Sequence, residues 1–199
     1  MRKKSHISLA IGLMDKLQLE DTMNHKFTFC FGSILPDCKP SFLTTPHNFQ
    51  KTFEDLKEKI ARFIEKMKNI YCFGYRDCIR LGEITHYIAD YFTFPHNDHY
   101  DGNLKDHCYY EKDLKFALRR FLESKEVMEI RKEIKVHNTK EELIQFIEEK
   151  HQEYRSKKSV VLEDCRYIVR VCMEVVASII AILQNSFVEM RAVLAEPVL

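Results

Sequence analysis

Phe53, Leu56, Ile60, Phe63, Ile64 and Met67 recur at spacings of three and four, the interval at which a helix returns one face to the core. They predict an amphipathic helix running through residue 69. The same reading predicts a first helix over residues 5–17 and a third over 75–92, the latter with Ile79, Ile84 and Ile88 on one side. Each residue turns a helix by ~100°, so His86 lies ~200° around from Ile84. That helix is expected to be buried all round, with apolar packing behind and polar side chains in front.

The remaining elements follow from punctuation. Gly32, Pro36, Pro40 and Pro46 make residues 24–48 irregular or a set of short helical pieces. Pro95 ends the third helix and leaves His96 in the loop beyond it. Asp101 or Asn103 can cap a fourth helix through residue 121, and Thr139-Lys140-Glu141-Glu142 fits a capping box for a helix through 154. The stretch from 159 to beyond 187 has no Gly or Pro, is heavily apolar, and is expected to be the central packing element. The pattern predicts an all-α bundle of six to eight helices in one domain over residues 1–199, with no repeat, low-complexity tract or linker.

Composition agrees. Five Gly, five Pro and 31% charged residues favour long helices, and 199 residues can bury a substantial core. The net charge of +1 gives no bulk attraction for nucleic acid, and runs such as Lys57-Glu58-Lys59 and Lys157-Lys158 read as solvated faces. Seven cysteines without a CxxC spacing read as reduced thiols of a cytoplasmic protein, with Cys108 packing rather than ligating. Arg2-Lys3-Lys4 and the apolar residues 7–14 mimic a signal peptide, but the stretch is short and no small-x-small site follows, so it reads as the first helix. Residues 175–183, flanked by Glu174 and Gln184, are too few to span a bilayer, and a soluble chain is expected.

The chemistry lies in His86-x3-Asp90-x5-His96 followed by His107-x3-Glu111, five metal-ligand side chains within 26 residues. The pairs His86/Asp90 and His107/Glu111 are spaced i, i+4, so each presents an imidazole and a carboxylate on one helix face. Five donors exceed the four that close a structural zinc site, which points to more than one ion and to a phosphate ester as substrate. Zinc, manganese or iron all suit this donor set. His25, His137 and His151 are expected as core histidines. His99 and Glu83 are candidates to orient ligands, a surface ion pair being the other role for Glu83.

With His6, Asp37 and His47 upstream, the ligand order resembles that of the zinc-dependent phospholipase C and P1/S1 nuclease superfamily of all-helical, three-zinc phosphodiesterases. The resemblance covers residues 5–111, with 112–199 completing the core. It implies that Asp37, His47, His86 and Asp90 hold a first zinc and that His96, His107 and Glu111 hold a second. His6 would hold a third, with Asp90 bridging it to the first. The family completes the third site with the amine and carbonyl of an N-terminal tryptophan. This chain has no tryptophan; either Met1 or Arg2 takes its place, or two ions bind, or the third is held weakly.

The expected reaction is in-line hydrolysis of a phosphate ester, with phospholipid among the candidate substrates and Asp37 doubling as the base that orients water. Phospholipase C members carry an aromatic directly after the upstream aspartate; here that position is Cys38, so choline specificity is not inherited. Phe42, Phe49, Tyr91, Phe94 and Tyr100 are candidates for a pocket wall, or for core. The alternatives are a nuclease or nucleotide phosphoesterase on the same fold, and a metal-stabilised binding protein without turnover.

Overall fold

A computed structural model describes residues 1–19, 23, 25–38, 47–68, 73–98, 100–157 and 160–195, the last eight of these as backbone. Phe42 and His99 lie outside the described residues. Among the described residues the chain forms eight α-helices and no strand: α1 (Lys3–Leu17), α2 (Lys26–Gly32), α3 (Phe49–Met67), α4 (Tyr75–Tyr91), α5 (Leu104–Leu122), α6 (Lys125–Glu133), α7 (Lys140–Arg155) and α8 (Val161–Ala195). Two 3-10 turns, Pro36–Cys38 and Phe94–His96, interrupt the connections. The all-α bundle is the architecture that the periodicity predicts.

Side chains set most boundaries. The Asn48 carboxamide accepts from Lys51 N (3.1 Å) and starts α3. Asn103, rather than Asp101, caps α5 by accepting from Lys105 N (2.8 Å) and Asp106 N (3.1 Å). Thr139 caps α7, but Glu142 returns to Asn138 N (3.0 Å), one residue outside the expected box. Pro95 does not itself terminate α4. The helix stops at Tyr91 and Pro95 opens the 3-10 turn that carries His96. No periodicity pointed to α6, whose nine residues bury only Val127 and Ile130.

Helix α8 is the central element, packed against α1, α3, α4, α5, α6 and α7. Its Val161–Phe187 segment is long and apolar enough to cross a membrane by length and composition, which corrects the shorter reading of residues 175–183. Within the bundle, 78% of its most apolar window is buried. The tightest approach is between α2 and α4. A Cβ on Gly32 would fall 2.2 Å from Ile79 O, and one on Gly82 2.4 Å from Phe29 O, so both positions need glycine for the backbones to touch. From Leu81 onward α4 is buried nearly all round, with Ile84 and Ile88 on one side and His86 and Asp90 on the other.

Candidate metal centre

All eight sequence-predicted residues converge on one end of α4. His86 and Asp90 project from adjacent turns of that helix and are fully buried. Asp37 reaches them from the first 3-10 turn and His47 from the residue pair ahead of α3. The donor atoms of Asp37, His47, His86 and Asp90 lie within 4.8 Å of one another, as do those of His96, His107 and Glu111. In the first group His86 Nε2 is 3.0 Å from His47 Nδ1, 3.2 Å from Asp90 Oδ2 and 3.7 Å from Asp37 Oδ1. In the second, Glu111 Oε1 is 3.2 Å from His107 Nε2 and 3.4 Å from His96 Nε2.

Asp90 joins the two groups. Its Oδ2 lies 3.4 Å from His47 Nδ1 and 3.7 Å from His96 Nδ1. Its Oδ1 lies 2.5 Å from the Met1 amine and 3.3 Å from His6 Nε2. The Met1 nitrogen is also 3.0 Å from His96 Nε2 and 3.3 Å from Glu111 Oε1, so Met1, not Arg2, brings its backbone nitrogen to this position. Arg2 instead donates to the Cys108 carbonyl at 2.8 Å, pinning the start of the chain to α5.

Two observations fit these donors to a metal ion. First, both ring nitrogens of His6 and Asp90 Oδ2 are buried without a well-aligned hydrogen-bond partner, a costly arrangement in the interior of a protein. Second, the imidazoles are oriented from behind. His86 Nδ1 donates to the Ser33 carbonyl at 2.8 Å, which leaves the lone pair of a neutral ring on Nε2, aimed into the group. His96 Nδ1 likewise faces the His47 carbonyl at 3.3 Å. The sequence offered Glu83, with a surface ion pair as its other role, and His99 as candidates to orient ligands, and gave no sign of Ser33. A backbone carbonyl has no residue signature, and only the Gly32/Gly82 contact hinted that the α2 backbone would come so close.

The electrostatics follow the geometry. Burial works against the Asp90 carboxylate, but the Met1 ammonium, His96 and His86 outweigh it and hold its pKa well below the usual range. Burial also opposes Glu111, yet hydrogen bonds from His107 and His96 keep it ionised far below its ordinary value. Asp37 goes the other way: burial pushes its carboxyl up, only partly offset by His86. For His6, burial and the His86 ring stacked on it at 4.0 Å push the pKa down to about 3, so the ring is neutral.

The other candidates divide. His151 is a buried core histidine as expected, whereas His25 and His137 are only half-buried. Tyr91 is fully buried and Phe49 packs on the core, so neither lines a pocket. Phe94 and Tyr100 pack edge to face at 5.2 Å beside the second group, with the Tyr100 ring 6.1 Å from that of His107. Cys108 and Cys38 are exposed free thiols, and none of the six described cysteines is in a disulfide.

An all-helical bundle with two adjoining His/carboxylate groups that could hold metal ions is the kind of framework on which metal-dependent hydrolases are built. The chain belongs to the zinc dependent phospholipase C family, whose model matches residues 5–159. No curated protein and no solved structure matches it.

Proposed function

We propose that the chain hydrolyses phosphate esters, as a phospholipase C-like phosphodiesterase, at a centre of two or three zinc ions. The observation that carries this reading is Asp90: one fully buried carboxylate placed between two groups that together supply seven donors. Zinc bound there would activate water and neutralise the charge that builds on phosphate oxygens. The protein supplies orientation. Ser33 fixes the His86 ring, and Asp37, on a short turn rather than a long helix, would hold a water against the phosphorus. Asp90 and His6 would contribute to a third ligand set, with the Met1 nitrogen beside them where the family has tryptophan.

Access favours the second group. The side chains of His107, Glu111 and His96 are 29%, 14% and 12% exposed, whereas those of His86 and Asp90 are closed off, so substrate would enter from the α5 side past Phe94 and Tyr100. Cys38 after Asp37 argues against choline as the preferred headgroup. Reduced thiols at all six described cysteines would fit a reducing, cytoplasmic setting; alkylation of freshly isolated protein, unfolded in the presence of the reagent, should label them all, since Cys78, Cys165 and Cys172 are buried in the native state.

The deciding experiment pairs metal content by elemental mass spectrometry with a substrate panel of bis-p-nitrophenyl phosphate, phospholipids and single-stranded RNA. Zinc at two or three equivalents with ester turnover is the expected result, and Asp37→Asn should lower turnover by ~10²–10⁴-fold. Bound zinc with no hydrolysis of any phosphodiester or phosphomonoester would leave a metal-stabilised binding protein instead. Preference for RNA would move the chain to the nuclease branch of the same chemistry.

A further inference from the structure

We propose that Asp164, at the start of α8, is a positioning residue for the group His96, His107 and Glu111. The proposal rests on the reading of that group as a metal site. Its three donors come from two separate pieces of chain, the Phe94–His96 turn and the first turns of α5. The α5 end of this arrangement is exposed, Leu104 being 79% accessible, so local packing does little to fix one piece against the other.

Asp164 fixes both. Its carboxylate is fully buried and accepts three hydrogen bonds from three elements. Oδ2 accepts from Phe94 N at 2.8 Å, two residues ahead of His96, and from the Tyr110 hydroxyl at 2.9 Å, adjacent to Glu111. Oδ1 accepts from the Tyr154 hydroxyl of α7 at 2.8 Å. No ion pair to Asp164 occurs among the described residues. A buried carboxylate without a cation is a costly way to fill core space, and an apolar residue of similar volume would serve packing at least as well. What an apolar residue could not do is hold a backbone N–H of the turn and a hydroxyl of α5 at one point.

A second tie acts on the same turn. Asn97, the residue after His96, donates from its carboxamide to Tyr91 O (3.2 Å) and Thr93 O (3.0 Å), and its Oδ1 accepts from His151 Nε2 at 2.9 Å. His151 is itself stacked on Phe49 at 3.8 Å, two residues after His47. The helices α7 and α8, which carry no metal-ligand candidate, thus set the geometry of the open group from behind. The family match stops at residue 159, just short of Asp164.

The test compares zinc and ¹¹³Cd binding of the wild type with Asp164→Ala, Asp164→Asn and the core control Leu118→Ala. Competition against a chromophoric chelator gives the affinities, and cadmium resonances separate the two groups. Asp164→Ala should weaken the His96/His107/Glu111 group by about 10–100-fold and move its resonance, leaving the buried group within about twofold. Asp164→Asn keeps an oxygen for Phe94 N and Tyr110 and should recover most of the loss, while Leu118→Ala should lower the melting temperature without favouring either group. If Asp164→Ala does not fold, Tyr110→Phe, which removes one hydroxyl, should give the same selective weakening at severalfold. Parallel loss at both groups, or a melting-temperature drop with unchanged affinities, would overturn the proposal alone. A wild type that binds neither metal would overturn the metal-site reading and this proposal with it.

Discussion

The two ligand groups are built from the same residue types but in opposite settings. Asp37, His47, His86 and Asp90 close around the end of a buried helix, with Ser33 locking an imidazole from behind. His96, His107 and Glu111 stand on a short turn and the exposed start of α5, each partly open to solvent. Burial without hydrogen bonds, at Asp90 Oδ2 and at His6 beside it, makes the surroundings of the first group a place where an ion relieves an energetic cost. Openness makes the second a place where a ligand can enter. On the proposed reading one group anchors and the other receives, and Asp90, a member of the first, lies 3.7 Å from His96 of the second.

Asp90→Asn tests that shared position and should have the largest effect. It removes the charge facing His86, His47, His6 and the Met1 amine at once. Replacing an outer-shell partner already costs 10–100-fold in metal affinity, so losing this ligand should exceed ~100-fold at the buried group and also weaken the open one. Zinc titration of the variant measures both. A loss confined to the buried group would place Asp90 on one side of the division.

The next effect sharpens the role of α8 and is read by pH. Burial raises the Asp164 carboxyl from its usual 3.8 to about 6, against hydrogen bonds from Phe94, Tyr154 and Tyr110 that favour its ionised form. Between those two values the folded protein keeps a proton that the unfolded chain has released, so stability falls as pH rises through this window. Asp164→Asn carries no such dependence. In chelator, the stability advantage of wild type over Asp164→Asn should therefore shrink by roughly 2 kcal/mol between pH 4 and pH 7. Denaturant titrations at the two pH values give the number, and an advantage that grew with pH would mean that the three donors stabilise the charge more than burial opposes it.

What the sequence revealed, and what it hid, divides along the same physical line. Side chains with a period or a spacing were legible: the apolar stripe of α3, the i, i+4 pairs on α4 and α5, and the caps at Asn103 and Thr139. Asp37 and His47 were reachable only through the family's order of ligands, because nothing local marks a lone carboxylate or imidazole as a ligand. Contacts made by backbone or by distant polar groups were not legible at all. The Ser33 carbonyl behind His86, the Met1 nitrogen on Asp90 and the bonds from Phe94 and Tyr110 to Asp164 each join residues 53 or more positions apart. The end of α4 and the place of His96 beyond it were legible, while the turn that carries His96, with Pro95 as its second residue, was not.

Gly82→Ala probes the buried group through its support. A Cβ at this position would meet Phe29 O at 2.4 Å and Ser33 N at 2.7 Å, both backbone atoms that cannot swing aside. Helix α2 must move out, and the Ser33 carbonyl moves with it, away from His86 Nδ1. Overpacking of this kind costs ~1–3 kcal/mol. Affinity should fall at the buried group and stay level at the open one, the reverse of the pattern expected for Asp164→Ala.

Asn103→Ala should be the mildest change, and it asks how rigid the open group needs to be. The carboxamide of Asn103 satisfies the N–H groups of Lys105 and Asp106, and its carbonyl receives His107 N at 3.0 Å. Losing such a cap costs ~1 kcal/mol, most of it as fraying of the first turn of α5. His107 sits at the edge of that turn, whereas Glu111 lies one turn deeper and is held beside Tyr110. If the fraying competes fully with ligand binding, the open group weakens by about fivefold, the equivalent of that 1 kcal/mol. If the Asp164 clamp keeps α5 in place from Tyr110 onward, the loss is smaller and falls on His107 alone. A ¹¹³Cd resonance that broadens without shifting in Asn103→Ala would show a donor exchanging on and off, while a shifted, sharp resonance would show the whole group displaced. The first outcome fits an open group anchored from α8; the second would mean that the N-terminus of α5, not Asp164, sets its geometry.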